Sequence, residues 1–429
     1  MIVSSSRAGR GLRRFGSTRF GITDSVTITL NHLGCIEDDM SESNDRFAEC
    51  IERARALGPL IVEYAAESER LGQLSTKVVD AFHEAGLFRV LLPTRMGGFN
   101  LTMAQQCEVI EEIARFDGAT GWNLAIGSGG PAVGNFIARE AFENIFADPR
   151  ALAAGSLNPA GNSAVACEGG YRFTGKMTYA SGSAQATWLA ASGVELVNGA
   201  PQIVNGVPKF RTGIFPVKSG KILNTWSVSG LRGTGSNDVL LENVFVPESY
   251  TFEFPNPKSS WQTGPMAKIP LMVQLGASLA AVALGIGRHA IDALKELAVS
   301  KVPVGTMASL RERPIAQLQM GEAEGSIRAA RSYLHSSIAE VWKRGEAGEP
   351  FDLDALASAR LASVTAGKLA ARAVDLVYDA AGISAMHTAL PIERCWRDVH
   401  AVAQHVTMNT ARYEAAGRIL FGLPPGQFV

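Results

Sequence analysis

Neither sign of charge is in excess in this chain: 40 Lys and Arg face 41 Asp and Glu over 429 residues, a formal net charge of −1. That balance provides no basic field to hold nucleic acid or anionic lipid and none of the acidic surplus that keeps chains disordered, so the expected partner is a small molecule. Cysteine is scarce, with five residues at 35, 50, 107, 167 and 395 and no CxxC or Cys/His pair at ligand spacing. A disulfide framework and structural zinc are therefore excluded, no metal is expected, and a reducing cytoplasm is the compartment that fits. Also missing are GxGxxG after a strand, GxxxxGK[ST], HExxH and GxSxG. Nicotinamide-binding Rossmann, P-loop, zincin and α/β-hydrolase chemistries lose their usual handholds.

Two segments imitate membrane or targeting signals. The stretch 269–287 carries no charge between Lys268 and Arg288, but Pro270, Gln274, Ser278 and repeated Ala and Gly fit a helix buried among helices better than a membrane span. The N-terminus has Arg7, Arg10, Arg13, Arg14 and Arg19 with no acid before Asp24. Without an amphipathic apolar stripe beside those arginines, residues 1–44 are expected to be a disordered tail or an upstream start rather than an organellar address.

What is present divides the chain by hydrophobic period. From 45 to 149, Phe47, Ile51, Ala54, Ile61 and Tyr64 share one helical face and Val78, Val79, Phe82 and Leu87 another, with Ser75 and Thr102 as N-caps. From 150 to 265, short β-branched and aromatic runs between Gly, Pro, Asn and Ser predict an antiparallel β-domain. From 266 to 429, Ala-rich helical patterns at 271–299, 315–344, 353–381 and 394–420 predict a four-helix bundle. The fold class is α+β multidomain, in the order helical, β, helical. Residues 247–260 and 344–350 read as linkers.

Candidate chemistry gathers in three places. His83, His289, His335, His400 and His405 all fall in helical patterns, where a single histidine is ordinarily a satisfied core or surface residue. The run 391–409 differs, because at 100° per residue Asp398, His405 and Asn409 share one stripe and Arg397, His400 and Gln404 a neighbouring one. Two polar stripes on an apolar helix call for a bound polar group or a paired subunit. In GKMTYASGSAQATW, the hydroxyls of Thr178, Ser181 and Ser183 on one side of a strand suit a planar heterocycle, or equally an ordinary strand edge. The loop 231–248 adds a Gly-rich turn with Ser236, read as a tight turn or as a phosphate contact.

In order, YRFTGKMTYASGSAQATW, GTGSNDV followed by VFVP, and PIERCWRDVHAVAQHV resemble the acyl-CoA dehydrogenase superfold over about residues 45–425. Within it, SGSAQATW, LRGTGSNDV and RDVHAVAQH resemble the two-component flavin monooxygenases more closely. Departures point the same way. Where the dehydrogenases carry a general-base acid, this chain reads Gln404-His405-Val406-Thr407, and it lacks their Arg-x-x-Phe-Gly diphosphate motif.

That resemblance implies an oxygenase component that takes reduced FMN or FAD from a separate NAD(P)H:flavin reductase. With O2 as co-substrate, it would hydroxylate or N/S-oxygenate a small organic substrate through a C4a-hydroperoxyflavin. It further implies Ser181 near flavin N5, with Thr178 and Ser183 beside it, and Ser156 on the substrate side. His405 would act as acid or base, with His400 as the alternative, since an unperturbed imidazole titrates near ~6.5. Trp122 would form an apolar wall and Asn123 a polar contact. Arg311 and Arg313 would reach the flavin phosphate of a second subunit in a homotetramer, because the 271–299 and 353–381 helices are apolar on more than one face. An FAD-dependent acyl-CoA dehydrogenase-like enzyme and a non-catalytic scaffold of the same fold remain open alternatives.

Overall fold

A computed structural model describes residues 42–204, 206–254 and 261–426. The chain divides after Asp45; of the first unit only 42–45 are described, and they are helical. The arginines of the expected tail lie outside the described residues.

Among the described residues six helices come first: α1 (42–56), α2 (Gly58–Leu71), α3 (Thr76–Glu84), α4 (Met103–Ala114), α5 (Gly118–Gly134) and α6 (Arg139–Phe146). Thr102 caps α4 as expected, in a reciprocal pair with Gln105 that satisfies two orphan N–H groups. Ser75 precedes α3, but its side chain caps nothing there; its own N–H donates to Ser68 Oγ at 3.0 Å. Asp117 caps α5 by accepting from the Thr120 N–H at 2.8 Å.

Among the described residues eleven strands follow: β1 (Ala153–Ser156), β2 (Asn162–Cys167), β3 (Gly170–Ala180), β4 (Trp188–Val197), β5 (Ala200–Pro201), β6 (Ile203–Val204), β7 (Val207–Pro208), β8 (Phe210–Pro216), β9 (Lys221–Leu223), β10 (Asn237–Pro247) and β11 (Thr251–Phe254). The main sheet runs β11-β8-β4-β2-β3-β10-β9, with β1 and β5 also paired to β4. It is mixed rather than antiparallel, because β1 and β2 both run parallel to β4. Alternation along one strand reveals which faces are buried and nothing about the direction of the neighbour. Within the segment 247–260 expected as a linker, Thr251–Phe254 form β11, an edge strand against β8, and 255–260 lie outside the described residues.

The C-terminal helices are α7 (Pro265–Lys268), α8 (Leu271–Ser300), α9 (Pro314–Ala347), α10 (Leu353–Ala381), α11 (Pro391–Val402) and α12 (Ala411–Leu420). Helix α8 is long and apolar enough to cross a membrane by composition, yet 83% of that window is buried inside the protein. It packs against α4, α5, α9, α10 and α11. Much of the expected 344–350 linker is the last turn of α9. The expected helix 394–420 is two helices, interrupted by turns over 403–410. That interruption takes His405 out of the helix.

Candidate active site

At the interruption the His405 N–H donates to the Val402 carbonyl at 3.0 Å, and the His405 carbonyl accepts from Met408 at 2.8 Å and Asn409 at 2.9 Å. His405 therefore sits in a turn and shares no helical stripe with Asp398. Its Nδ1 lies 2.9 Å from Thr407 Oγ1 and accepts the Thr407 backbone N–H at 3.3 Å. An accepting Nδ1 leaves the proton of the neutral ring on Nε2. The ring meets the Trp122 indole edge-to-face, with centroids 5.5 Å apart. Dense packing around a ring that keeps some solvent access pushes the imidazole down to about 4. The expectation of a histidine titrating near neutrality is thus corrected: burial disfavours the imidazolium, and His405 is neutral at pH 7.

Helix α5 brings Trp122 and Asn123 to the same place. Trp122 Nε1 donates to Ser181 Oγ at 3.0 Å. Asn123 Nδ2 donates to the carbonyls of Ala119 at 3.0 Å and Gly233 at 3.2 Å, which leaves its Oδ1 to accept from Gln185 Nε2 at 2.5 Å. Trp122 is thus a wall with one directed N–H.

Ser181 and Ser183 do not lie on a strand face with Thr178. Strand β3 ends at Ala180, and Tyr179, with φ 59°, breaks the alternation just before it. Ser181 follows as a single bridge to Gly155 of β1 and opens a turn. Thr178 remains half-buried on β3. Ser156, next to that bridge, uses its Oγ to accept from the Asn158 N–H at 3.3 Å.

The 230–236 loop closes over Ser181 and is held from α11. Gly230 approaches the Arg397 carbonyl so closely that a Cβ would stand 2.1 Å from it. Leu231 adopts a left-handed backbone (φ 53°), and its N–H donates to Asp398 Oδ1 at 2.6 Å. Burial, reinforced by the nearby Asp117 charge, pushes the Asp398 carboxyl up to about 7. Beside it, Glu69 of α2 takes Arg397 at 2.6 Å and Arg394 at 3.1 Å. Burial alone would raise Glu69; Arg397, Arg394 and Arg232 override it and hold the carboxyl below its ordinary range.

Trp122, Asn123, Ser181, Ser183 and His405 thus come together, while other expected residues stand apart. His400 points to α10, where its Nε2 pairs with Asp375 at 2.9 Å, and its ring packs on Trp396 of its own helix; the helical projection that put it on a stripe neighbouring His405 fails because the helix ends between them. Arg311 is exposed and Arg313 half-buried at the short turn Leu310–Glu312 before α9. Thr234, Gln185 and Thr407 were missed, since a residue that serves a site through one loop hydrogen bond leaves no periodic trace. Asp398 was noticed for its polarity only. Clefts of about 330 Å³ beside Arg115, Arg288 and Arg331, and about 490 Å³ beside Arg53, His83 and Arg89, are lined by none of the site residues.

The site offers acceptors. Gln185 Oε1 is buried without a donor, and Ser181 Oγ already receives an indole N–H. A planar heterocycle bearing ring N–H groups fits this set, and a reduced flavin is such a group.

Residues 52–141 match the family model of the acyl-CoA dehydrogenase N-terminal domain, and 277–410 that of the acyl-CoA dehydrogenase C-terminal domain. Helices, sheet and helices in this order define the acyl-CoA dehydrogenase-like class. The chain is 31% identical to an indole-3-acetate monooxygenase of Pseudomonas putida, over 84% of this chain and 90% of that one. It is 29% identical to the oxygenase subunit HsaA of a flavin-dependent monooxygenase of Rhodococcus jostii, over 87% and 98%. The crystal structure of 3-HSA hydroxylase from a Rhodococcus species superposes with TM-score 0.81 at 28% identity, covering 88% of this chain and 97% of that one. The chain belongs to the flavin-dependent monooxygenases of this fold, as the oxygenase component of a two-component system.

Proposed function

We propose that this protein oxygenates a small aromatic substrate, with reduced FMN or FAD delivered by a separate NAD(P)H:flavin reductase, and that it works as a cytoplasmic homotetramer. The observation that carries the reading is the meeting of Trp122, Ser181 and His405 where α5, the end of β3 and the 403–410 turn converge. When bound, reduced flavin supplies the electrons that activate O2. The chain's own groups do the rest. Ser181 Oγ holds a ring N–H, and Trp122 presents an apolar wall. Neutral His405 directs its Nε2 proton toward the substrate, a donor that needs no prior protonation at pH 7. Burial of Trp122 and Ser181 keeps water from the reacting groups. Names of the relatives, among them indole-3-acetate monooxygenase, support an aromatic substrate. Arg311 and Arg313, on the loop before α9, are the proposed phosphate contacts across a subunit boundary.

The test supplies flavin reductase, NADH, FMN or FAD, and a panel of indoles and phenols, and follows O2 uptake and product. Reductase-dependent formation of a hydroxylated product supports the reading. Rapid reduction of stoichiometric bound FAD by an acyl-CoA would overturn it.

A further inference from the structure

Three buried hydroxyls lie in a row beneath the proposed flavin seat, and their protons can be counted. Thr234 Oγ1 donates to the Leu231 carbonyl at 2.9 Å. A hydroxyl has one proton, so across the 2.7 Å contact between Thr234 and Ser236 the donor is Ser236. By the same count Ser181 is the donor across its 2.8 Å contact with Ser236. At the far end Trp122 Nε1, which is only ever a donor, enters Ser181 at 3.0 Å. Ser181 therefore has no proton left and keeps one lone pair.

The backbone donors of the Ser181 turn, the Ser183 hydroxyl and the Asn123 amide are occupied as well. The N–H of Ser181 goes to Tyr179, that of Gly182 to Thr234 and that of Ser183 to Ala180, at 2.8, 3.0 and 3.1 Å. Ser183 Oγ donates to the Gly235 carbonyl at 3.2 Å, and both Asn123 amide protons go to carbonyls. Presenting a proton from Ser181 would either forfeit its bond to Ser236 or, to keep both hydroxyl contacts, require all three hydroxyls to reverse together and take the Thr234 proton from the Leu231 carbonyl. Thr234, Ser236 and Ser181 are 0%, 4% and 5% exposed, so water cannot substitute along the row.

We infer that Thr234 and Ser236 are positioning residues that fix the proton polarity of Ser181, so that the seat accepts from a ring N–H and disfavours a bare ring nitrogen. This inference rests on the reading that flavin binds against Ser181. Reduced flavin carries a proton on N5, whereas oxidised flavin offers a lone pair there. The row thus makes the redox state of the flavin a criterion for binding, through residues that need not touch it.

The experiment measures dissociation constants for reduced FMN under anaerobic conditions, for oxidised FMN, and for oxidised 5-deaza-FMN, in which a C–H replaces N5. The parent should bind oxidised 5-deaza-FMN several-fold tighter than oxidised FMN. Ser236→Ala and Thr234→Val, which free the Ser181 proton by two routes, should each narrow the reduced-to-oxidised preference by roughly 10-fold, the scale of one hydrogen bond. Thr234→Ser keeps the row and should restore the parent ratio. An unchanged ratio in folded Ser236→Ala and Thr234→Val, or equal parent affinity for the two oxidised ligands, would overturn the inference while leaving the flavin seat intact. A parent that binds neither FMN form would instead remove the seat, and the inference with it.

Discussion

Replacing Asp398 tests how the site is assembled from two parts of the chain. Its carboxylate accepts the Leu231 N–H at 2.6 Å, joining α11 to the loop that carries Thr234 and Ser236. Leu231 is 4% exposed and left-handed, so the N–H released by Asp398→Ala has no water and its backbone no other anchor at that atom. A neutral hydrogen bond contributes roughly 0.5–1.5 kcal/mol and an unpaired buried donor costs about 1–3 kcal/mol more, so at pH 5, where the carboxyl is protonated, Asp398→Ala should destabilise the protein by ~3 kcal/mol. Asp398→Asn keeps an acceptor oxygen and should differ from the parent chiefly in its pH response. In the folded protein the carboxyl is raised from its ordinary 3.8 to about 7. Between those values the folded state retains a proton that the unfolded state has lost, which favours folding at the acidic end. The parent should therefore lose stability relative to Asp398→Asn as pH rises through that window, by up to ~1.4 kcal/mol per pH unit, and the gap should be constant above it. Urea unfolding of all three proteins at pH 5, 6, 7 and 8 reads both effects. If Asp398→Ala unfolds with Asp398→Asn at every pH, the hydrogen bond to Leu231 does not hold the loop; if the parent-to-Asn gap ignores pH, the carboxyl is not the buried acid described.

His405 has a lowered imidazole, so its linkage has the opposite sign. With a folded value of about 4 and an unfolded value near ~6.5, the stability it contributes is present above ~6.5 and lost as pH falls toward 4. His405→Gln should flatten that decline in unfolding curves, and the parent ring should keep its neutral Nε2–H signature by 15N NMR at pH 6. Gly155 has φ 134°, and a Cβ there would stand 2.3 Å from the Ala190 carbonyl; Gly155→Ala should destabilise by ~3 kcal/mol through strain and overpacking, read by thermal unfolding. A variant as stable as the parent would show that the bridge to Ser181 tolerates movement of β1.

Much of the architecture was legible because hydrophobic period is a local property. The stripes of 45–149, the alternating runs of 150–265 and the Ala-rich helices beyond them each report a buried face, and Thr102 with Gln105 announces a helix start within four residues. The residues that carry the resemblance, SGSAQATW and RDVHAVAQH, likewise located Ser181 and His405. What a one-dimensional period cannot express is partner direction, so the two parallel pairings of β4 appeared only in the fold. Nor can it express an interruption set by tertiary contact: residues 394–420 read as one helix, yet the turns at 403–410 place His405 beside Trp122 of α5 and leave His400 with Asp375. Proton polarity lies further still from the sequence, because Thr234, Ser236 and Ser181 acquire donor and acceptor roles only when Leu231 and Trp122 stand at opposite ends of the row. Local propensity determined which elements form; which atom of each polar residue faces the site was decided largely by packing between distant parts of the chain, Trp122 against Ser181 and Ser181 against Ser236 among them.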